Sequence, residues 1–485
     1  MTNEAKTNVK NSVGRLVFVA LPVFGLCIYF LFGRTNATKK VSERYRQIDD
    51  VLIPKLQQKE KVMEVLEQET FPIASHARYI RDRGSFPIYD NTKAEFFSEA
   101  KDGFEAQLRD LEQAKHFIFL EYHAIQEAEA FARLKEILAR KAREGVEVRL
   151  FYDDVGSIGF LDSGFIRRME EIGVRCRVFN AVLPFIDIFT NNRDHRKITV
   201  IDGTVGYTGG YNLADEYFNI THPYGYWKDT GVRLEGEAVR SLTVMFLEMW
   251  NVMDKNDGKD LKKMAEAEAE RYLKKRPKRS GDFRPDAPGK PERKEPGGKE
   301  PERTCYVQPY ADSPLDKEPV GENVYLNLIA SAREYLYVAT TYLIISDEMT
   351  RALGLAAKRG VDVRIITPGI PDKKVVYQLT RSYYSGLVRQ GVRIYEYTPG
   401  FIHAKQMICD GKAATVGTIN LDFRSLYHHF ENGVLLYQGD VIADIKKDFD
   451  EVLPVCREVS EKYATGRSSA LRITQCVLRL FAPLM

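Results

Sequence analysis

Cysteine is scarce in this 485-residue chain. Its six residues, Cys27, Cys176, Cys305, Cys409, Cys456 and Cys476, show no CxxC or CxxH spacing. That scatter argues against a structural zinc site or a disulfide framework, and free thiols suit a reducing compartment. An HExxH stretch is also missing, and with it the usual zinc-hydrolase signature. Charge of one sign is lacking too, with 71 lysines and arginines against 68 aspartates and glutamates. Near balance gives no support to a bulk nucleic-acid binder and leaves only a local basic patch open. Long apolar runs are few, and one matters. Residues 16–33 (LVFVALPVFGLCIYFLFG) carry no charge and reach the roughly 17–25 residues that a helix needs to cross a bilayer.

That run reads as a membrane anchor behind a short tail, residues 1–15. A cleaved signal peptide is the rival, since Lys6, Lys10 and Arg15 could form its basic end, but Thr35-Asn36-Ala37 makes a poor cleavage site. Arg34, Lys39, Lys40, Arg44 and Arg46 outnumber the basic residues before the span, so the remainder is expected on the cytoplasmic side. Residues 34–90 read as a juxtamembrane connector, helical and broken at Pro54.

A chain of this length exceeds what one core usually serves, and two domains are expected, at residues 91–254 and 304–465. Within the first, HFIFLEYHAI at 116–125 is a β-branched and aromatic run of buried-strand length. A helix ending at Glu144, a Gly145 cap and the strand GVEVRLFYDD follow. The second half repeats this order with EYLYVATTYLII, a helix to Lys358, GVDVRIITPG and VRIYEY. Alternation of this kind predicts an α/β fold with one mixed sheet per half. Between the halves, residues 255–303 read as a solvated charged helix and then a linker, 276–303, too poor in apolar residues to pack. At the far end, residues 466–485 form an amphipathic pattern, with Ile473, Val477, Leu480, Phe481 and Leu484 on one face and Arg472, Gln475 and Arg479 on the other. It suits a helix lying in a membrane interface or one capping the domain.

The strongest signal is a stretch that occurs twice. HRKITVIDGTVGYTGGYN begins at His195, and HAKQMICDGKAATVGTIN begins 208 residues later, at His403. Lys197 and Lys405 stand at +2, Asp202 and Asp410 at +7, Gly203 and Gly411 at +8, Gly209 and Gly417 at +14, Asn212 and Asn420 at +17. One copy alone would read as a strand with a polar edge; two with the same offsets read as a duplicated unit, each supplying half of a site. Two histidines, two lysines and two asparagines make a centre for a phosphodiester. One neutral imidazole can attack phosphorus while a protonated one serves as general acid. Lys197, Lys405, Asn212 and Asn420 would hold the non-bridging oxygens. No metal or other cofactor is needed, and the lysine beside each histidine opposes a zinc site. Asp202 and Asp410 each end an apolar strand beside a glycine, so they either join this chemistry or fix the turn.

These paired motifs, with NNRDHRKITVIDG, GGYNLADEY, YWKDTGVRLEG, TPGIPDKKVV, GFIHAK, GTINLDFRS and HFENGV in order from 191 to 434, resemble the phospholipase D superfamily, and within it the bacterial cardiolipin synthases. The resemblance implies two tandem phospholipase D-like domains with one active site at their interface. It implies transfer of a phosphatidyl group between two phosphatidylglycerol molecules, giving cardiolipin and glycerol, with anionic membrane lipid as partner and no nucleic acid or metal. It marks His195, Lys197, Asp202, His403, Lys405 and Asp410 as the active-site set. Asp229 and Glu431 would then be acidic partners orienting the histidines, each across to the other half. Asp194, residues 340–345 (TTYLII) and His429 depart from the usual family residues. A phospholipase D-type hydrolase or nuclease could use the same residues, and a non-catalytic membrane scaffold is the third reading.

Overall fold

The computed structural model describes residues 36–180, 192–254, 260–273, 305–464 and 479. The expected tail 1–15, the span 16–33, the linker 276–303 and all of 466–485 except Arg479 lie outside the described residues. Among the described residues no helix is long and apolar enough to cross a membrane.

Each half is built on a mixed sheet. The first contains β1 (Thr92–Phe97), β2 (Phe117–Tyr122), β3 (Glu147–Asp153), β4 (Val174–Phe179), β6 (Lys197–Ile201), β7 (Val205–Gly209) and β9 (Gly231–Gly236), in the order β1-β9-β7-β6-β2-β3-β4. Two short strands, β5 (Arg193–Asp194) and β8 (Tyr226–Lys228), pair elsewhere. The second sheet repeats the order with β10 (Tyr306–Asp312), β11 (Tyr335–Ala339), β13 (Asp362–Pro368), β14 (Arg393–Tyr397), β16 (Gln406–Cys409), β17 (Ala413–Gly417) and β19 (His429–Tyr437). They run β10-β19-β17-β16-β11-β13-β14, with β20 (Cys456–Glu458) added at the edge. Outside it, β12 (Leu343–Ile344) pairs β18 (Leu421–Asp422), and β15 (Gly400–Ile402) pairs β8. In both sheets the β2-β3-β4 and β11-β13-β14 neighbours are parallel and the other in-sheet pairs antiparallel.

Strand β2, FIFLEY, is buried along its whole length because both of its faces are covered. Phe117 and Phe119 point into the core shared with the second half, and Ile118, Leu120 and Tyr122 into a separate core with the helices Ala100–Glu112 and Glu129–Arg143. The helix Val239–Val252 is apolar nearly all round and buries every residue but Arg240. It touches β2, β6, β7 and β9 of its own sheet and β10 of the other, while Asp440–Val452 touches β16, β17, β19 and, across the divide, β1. These two helices form the layer between the sheets.

The segment expected as a connector is packed into that core. The helix Asn36–Leu52 lies against Val239–Val252 and Leu261–Tyr272, with Ile48 and Leu52 fully buried. A 3-10 turn, Ile53–Lys55, breaks it at Pro54, and Leu66, Ile73 and Ala77 on the two following helices join the same core. Leu261–Tyr272, expected as a solvated charged helix, buries Ala265, Ala269 and Tyr272 in a narrow stripe. Its Glu268 pairs with Arg149 of β3 at 2.7 Å. Arg479 donates to the Ser382 carbonyl and covers the Tyr383 ring at 4.4 Å, which places this one residue against the helix Lys374–Val388.

Candidate active site

Both repeated stretches fold as a hairpin. Each histidine precedes an apolar strand, β6 or β16, whose far end carries the Asp-Gly pair. Asp202 and Gly203 have φ of 53° and 69°, Asp410 and Gly411 of 52° and 62°, and the turns close through Thr204 N to Ile201 O and Lys412 N to Cys409 O. Positive φ at both central positions demands this kind of pair. The Asp202 carboxylate accepts the backbone N–H groups of Lys115, His116 and Phe117, and Asp410 those of Arg333, Glu334 and Tyr335. These bonds lie at the start of β2 and β11, whereas Lys197 faces Tyr122 at the other end of β2. A strand of this length, at roughly 3.3 Å per residue, separates the Asp202 carboxylate from the imidazole by more than 10 Å. Asp202 and Asp410 thus sit at the turns, at the far ends of β6 and β16 from the histidines.

The histidines themselves meet across the halves. Strand β5, just before His195, pairs in parallel with β19, placing Arg193 opposite His429 and Asp194 opposite Phe430. Strand β15, just before His403, pairs in parallel with β8, placing Ile402 opposite Lys228. His195 N donates to Phe430 O at 2.9 Å and His403 N to Lys228 O at 2.7 Å. The next residue in each receiving strand is an acid. Nδ1 of His195 lies 2.9 Å from both carboxylate oxygens of Glu431, and Nδ1 of His403 lies 2.7 Å from Oδ2 of Asp229. A carboxylate can only accept here, so each Nδ1 carries the proton and each Nε2 keeps its lone pair.

Lys197 Nζ donates to the His195 carbonyl at 2.6 Å, and Lys405 Nζ to the His403 carbonyl and, at 3.3 Å, to Thr341 Oγ1. All four groups are buried. Burial, then Lys197 and Lys405, push His195 well below its usual value, and burial with Lys405 brings His403 to about 4 despite Asp229. Burial also lowers Lys197 to about 8 and Lys405 to about 7. Desolvation works to raise Asp229, but His403 and Lys405 outweigh it and hold it below the usual carboxylate range. Cations crowded out of water disfavour one another, and an anion placed among them would relieve all of them. The arrangement fits a phosphodiester, attacked by one Nε2 and protonated by the other.

A family model for the cardiolipin synthase, phospholipase D-like domain matches residues 108–250 and 325–453, and each matched stretch holds one imidazole and one carboxylate of the crossed pairs. The chain belongs to this cardiolipin synthase family. An uncharacterised protein of Streptococcus mutans serotype c is 40% identical over 470 residues, spanning 97% of this chain and 95% of its own. A cardiolipin synthase of Geobacillus sp. strain WCH70 is 34% identical over 485 residues, spanning 97% and 88%. Among solved structures, the phosphatidylserine synthase of Haemophilus influenzae Rd KW20 superposes with a TM-score of 0.57 at 15% identity, covering 84% of this chain and 97% of that one. That likeness concerns the fold alone.

Around the imidazole pair of this cardiolipin synthase family member, the structure adds further residues. His123 lies 4.9 Å from His195, ring to ring, with its Nδ1 2.8 Å from the Asp194 carbonyl, and His429 lies 5.6 Å away on the other side. Tyr217 and Trp227 each stand 5.3 Å from His403. Position gave a clue to His123, a polar residue directly after the fully buried strand β2, but nothing local distinguishes it from a strand terminus. Asn212 accepts from Ala124 N and donates one of its two amide N–H groups to Tyr217 OH at 2.8 Å, so its amide also braces Tyr217. The Asn420 amide oxygen is buried without a partner among the described residues. His195, His429 and Glu431 bring potential metal-ligand atoms within 4.8 Å of one another. A cation there would compete with the His195–Glu431 hydrogen bonds.

Proposed function

We propose that the protein is a cardiolipin synthase, transferring a phosphatidyl group from one phosphatidylglycerol to a second. The observation that carries this reading is the crossed pair of imidazoles, each oriented through Nδ1 by a carboxylate of the other half and each flanked by a lysine. Nε2 of one histidine attacks the phosphorus of the first lipid. The P–O bond to glycerol breaks, and the glycerol oxygen takes a proton from the other imidazolium, leaving a phosphohistidine. A hydroxyl of the second phosphatidylglycerol then gives its proton to that neutral imidazole and its oxygen displaces the histidine. Lys197 and Lys405 stabilise the charge on the non-bridging oxygens, with Asn212 and Asn420 offering amide N–H donors to the same oxygens. Glu431 and Asp229 hold the imidazoles in the tautomer this requires. We assign the two catalytic domains to residues 91–254 and 304–465 and a single anchor to 16–33, with the site at the cytoplasmic face.

Water competes with the lipid hydroxyl for the phosphohistidine at about 55 M, so transfer requires a positioned acceptor, for which effective molarities of about 10⁵ M or more are attainable. Purified protein with phosphatidylglycerol as sole substrate and a chelator present is expected to form cardiolipin and release glycerol. Phosphatidic acid as the main product would make it a hydrolase, and cleavage of DNA without lipid turnover a nuclease.

A further inference from the structure

Single apolar side chains on a surface need no explanation, but a set framing one site does. Val155, Ile158 and Phe160 are exposed by 36%, 59% and 41%, in the loop that leaves β3. Ile370 and Val375 are exposed by 39% and 50%, in the segment that leaves β13, the strand that takes the place of β3 in the second sheet. Both loops emerge at the carboxyl ends of their parallel strands, the sheet end where the imidazoles lie.

Contacts tie each loop to the site. Gly156 lies against His123 so closely that a Cβ there would fall 2.8 Å from the ring nitrogen, and His123 stands beside His195. On the other side Asp372 accepts from Tyr342 OH at 2.5 Å, and Lys373 lies over the Tyr342 ring at 5.8 Å. Tyr342 follows Thr341, the hydroxyl that receives Lys405. The first loop is also fixed in place. Ser157 accepts from Ile125 N, while Phe160 and Leu161 donate to the Ser157 carbonyl, so the turn is closed by hydrogen bonds and its apolar tips point away from the core. Lys373 and Lys374, both exposed, accompany the second loop and add positive charge to its apolar tips.

We infer that the loop at residues 154–161 and the segment 369–375, which runs into the first turn of the helix Lys374–Val388, seat the protein on a lipid bilayer, with Ile158, Phe160, Ile370 and Val375 at the acyl boundary and Lys373 and Lys374 among anionic headgroups. This rests on the phosphatidyl-transfer reading and adds the orientation that reading lacks. The loops bring the imidazole pair over the headgroup layer, and a phosphodiester reaches it while its acyl chains remain in the membrane. Apolar tips with adjoining cations are the chemistry of an anionic lipid interface.

Two measurements on the full-length chain decide it. Tryptophan introduced as Ile158→Trp or Ile370→Trp is expected to shift to the blue and to be quenched by bromine-labelled phosphatidylglycerol in vesicles, against the background of buried Trp227 and Trp250. The double substitution Ile158→Asp, Phe160→Asp is expected to cut turnover of vesicle phosphatidylglycerol about ten-fold or more, while turnover of a short-chain, monomerically dispersed phosphatidylglycerol stays within about two-fold. Equal losses on both substrates would overturn the inference, since the loop would then serve the site itself. A blue shift that follows protein concentration without lipid would also overturn it, making this face a contact between copies. If the unsubstituted protein turns over neither lipid, the transfer reading falls, and the quenching still decides whether the loops meet the bilayer.

Discussion

The two poles of the site share a plan, a lysine bonded to each histidine carbonyl included, and differ in the groups that orient and surround the imidazoles. At one pole a glutamate orients His195 and Thr418 donates to that glutamate; at the other an aspartate orients His403, and the residue in the place of Thr418 is Gly210. Side-chain length accounts for the exchange. Asp229 is one methylene shorter than Glu431, so its backbone must approach closer, and a Cβ on Gly210 would lie 2.0 Å from Asp229 Oδ1. The surroundings differ as well. His195 sits between the rings of His123 and His429, whereas His403 is walled by Tyr217, Trp227 and Phe401. A duplicated unit has kept the geometry of attack twice and specialised the shell around it.

The hardest test of that comparison removes an imidazole. His195→Ala or His403→Ala is expected to lower turnover roughly 10³-fold or more with melting temperature unchanged, because neither pole can do both steps. A single variant that kept most of its activity would show one half to be sufficient. Next come the orienting groups: Glu431→Gln and Asp229→Asn should each cost about 10²–10⁴-fold in kcat, in the manner of a displaced tautomer. Equal losses would mean interchangeable poles, and unequal losses would separate nucleophile from acid. Gly210→Ala should track Asp229→Asn, while Thr418→Ala, which removes only one hydrogen bond, should cost about ten-fold or less.

A smaller effect is expected at the turns. Asp202→Asn and Asp410→Asn keep a residue that tolerates positive φ but weaken three charge-assisted bonds, so stability in urea should fall by about 1–3 kcal/mol while kcat stays within about three-fold. Loss of turnover without loss of stability would return these carboxylates to the chemistry. The smallest concerns pH. Burial lowers His429 to about 3 and His403 to about 4 from 6.5, so the unfolded chain binds protons that the native one does not between those values. Stability from these groups is complete above about pH 6.5 and lost as pH falls toward 4 and below. His429→Asn should flatten that acid slope in urea melts and leave the slope above pH 7 unchanged.

Much of this could be read from the chain because β2 and β11 are short, buried apolar and aromatic runs, and β3 and β13 keep Leu150-Phe151 and Ile365-Ile366 at their centres. The paired offsets placed His195, Lys197, His403 and Lys405 together. Other features escaped for definable reasons. The spacing of Asp202 and Asp410 is constant because the turn needs it, and a constant spacing cannot tell a turn from a reaction. The helix Leu261–Tyr272 hides its packing face in alanines spaced by four, which a count of charges overlooks. Strands β1 and β10 gain their meaning only from partners far along the chain, β9 and β19, and no local period announces such pairing. The packing of Asn36–Leu52 depends likewise on a helix about 200 residues later.

The crossed strands β5–β19 and β15–β8 also set a schedule for biosynthesis. His195 awaits a carboxylate 236 residues further on. A ribosome adding roughly 5–20 residues per second needs about 12–47 s to deliver it. Through that interval the first half holds an imidazole with no partner to fix its tautomer and no second imidazole to complete a transfer. The nascent chain thus does not hold both crossed pairs until β19, which carries Glu431, has been made and has paired with β5.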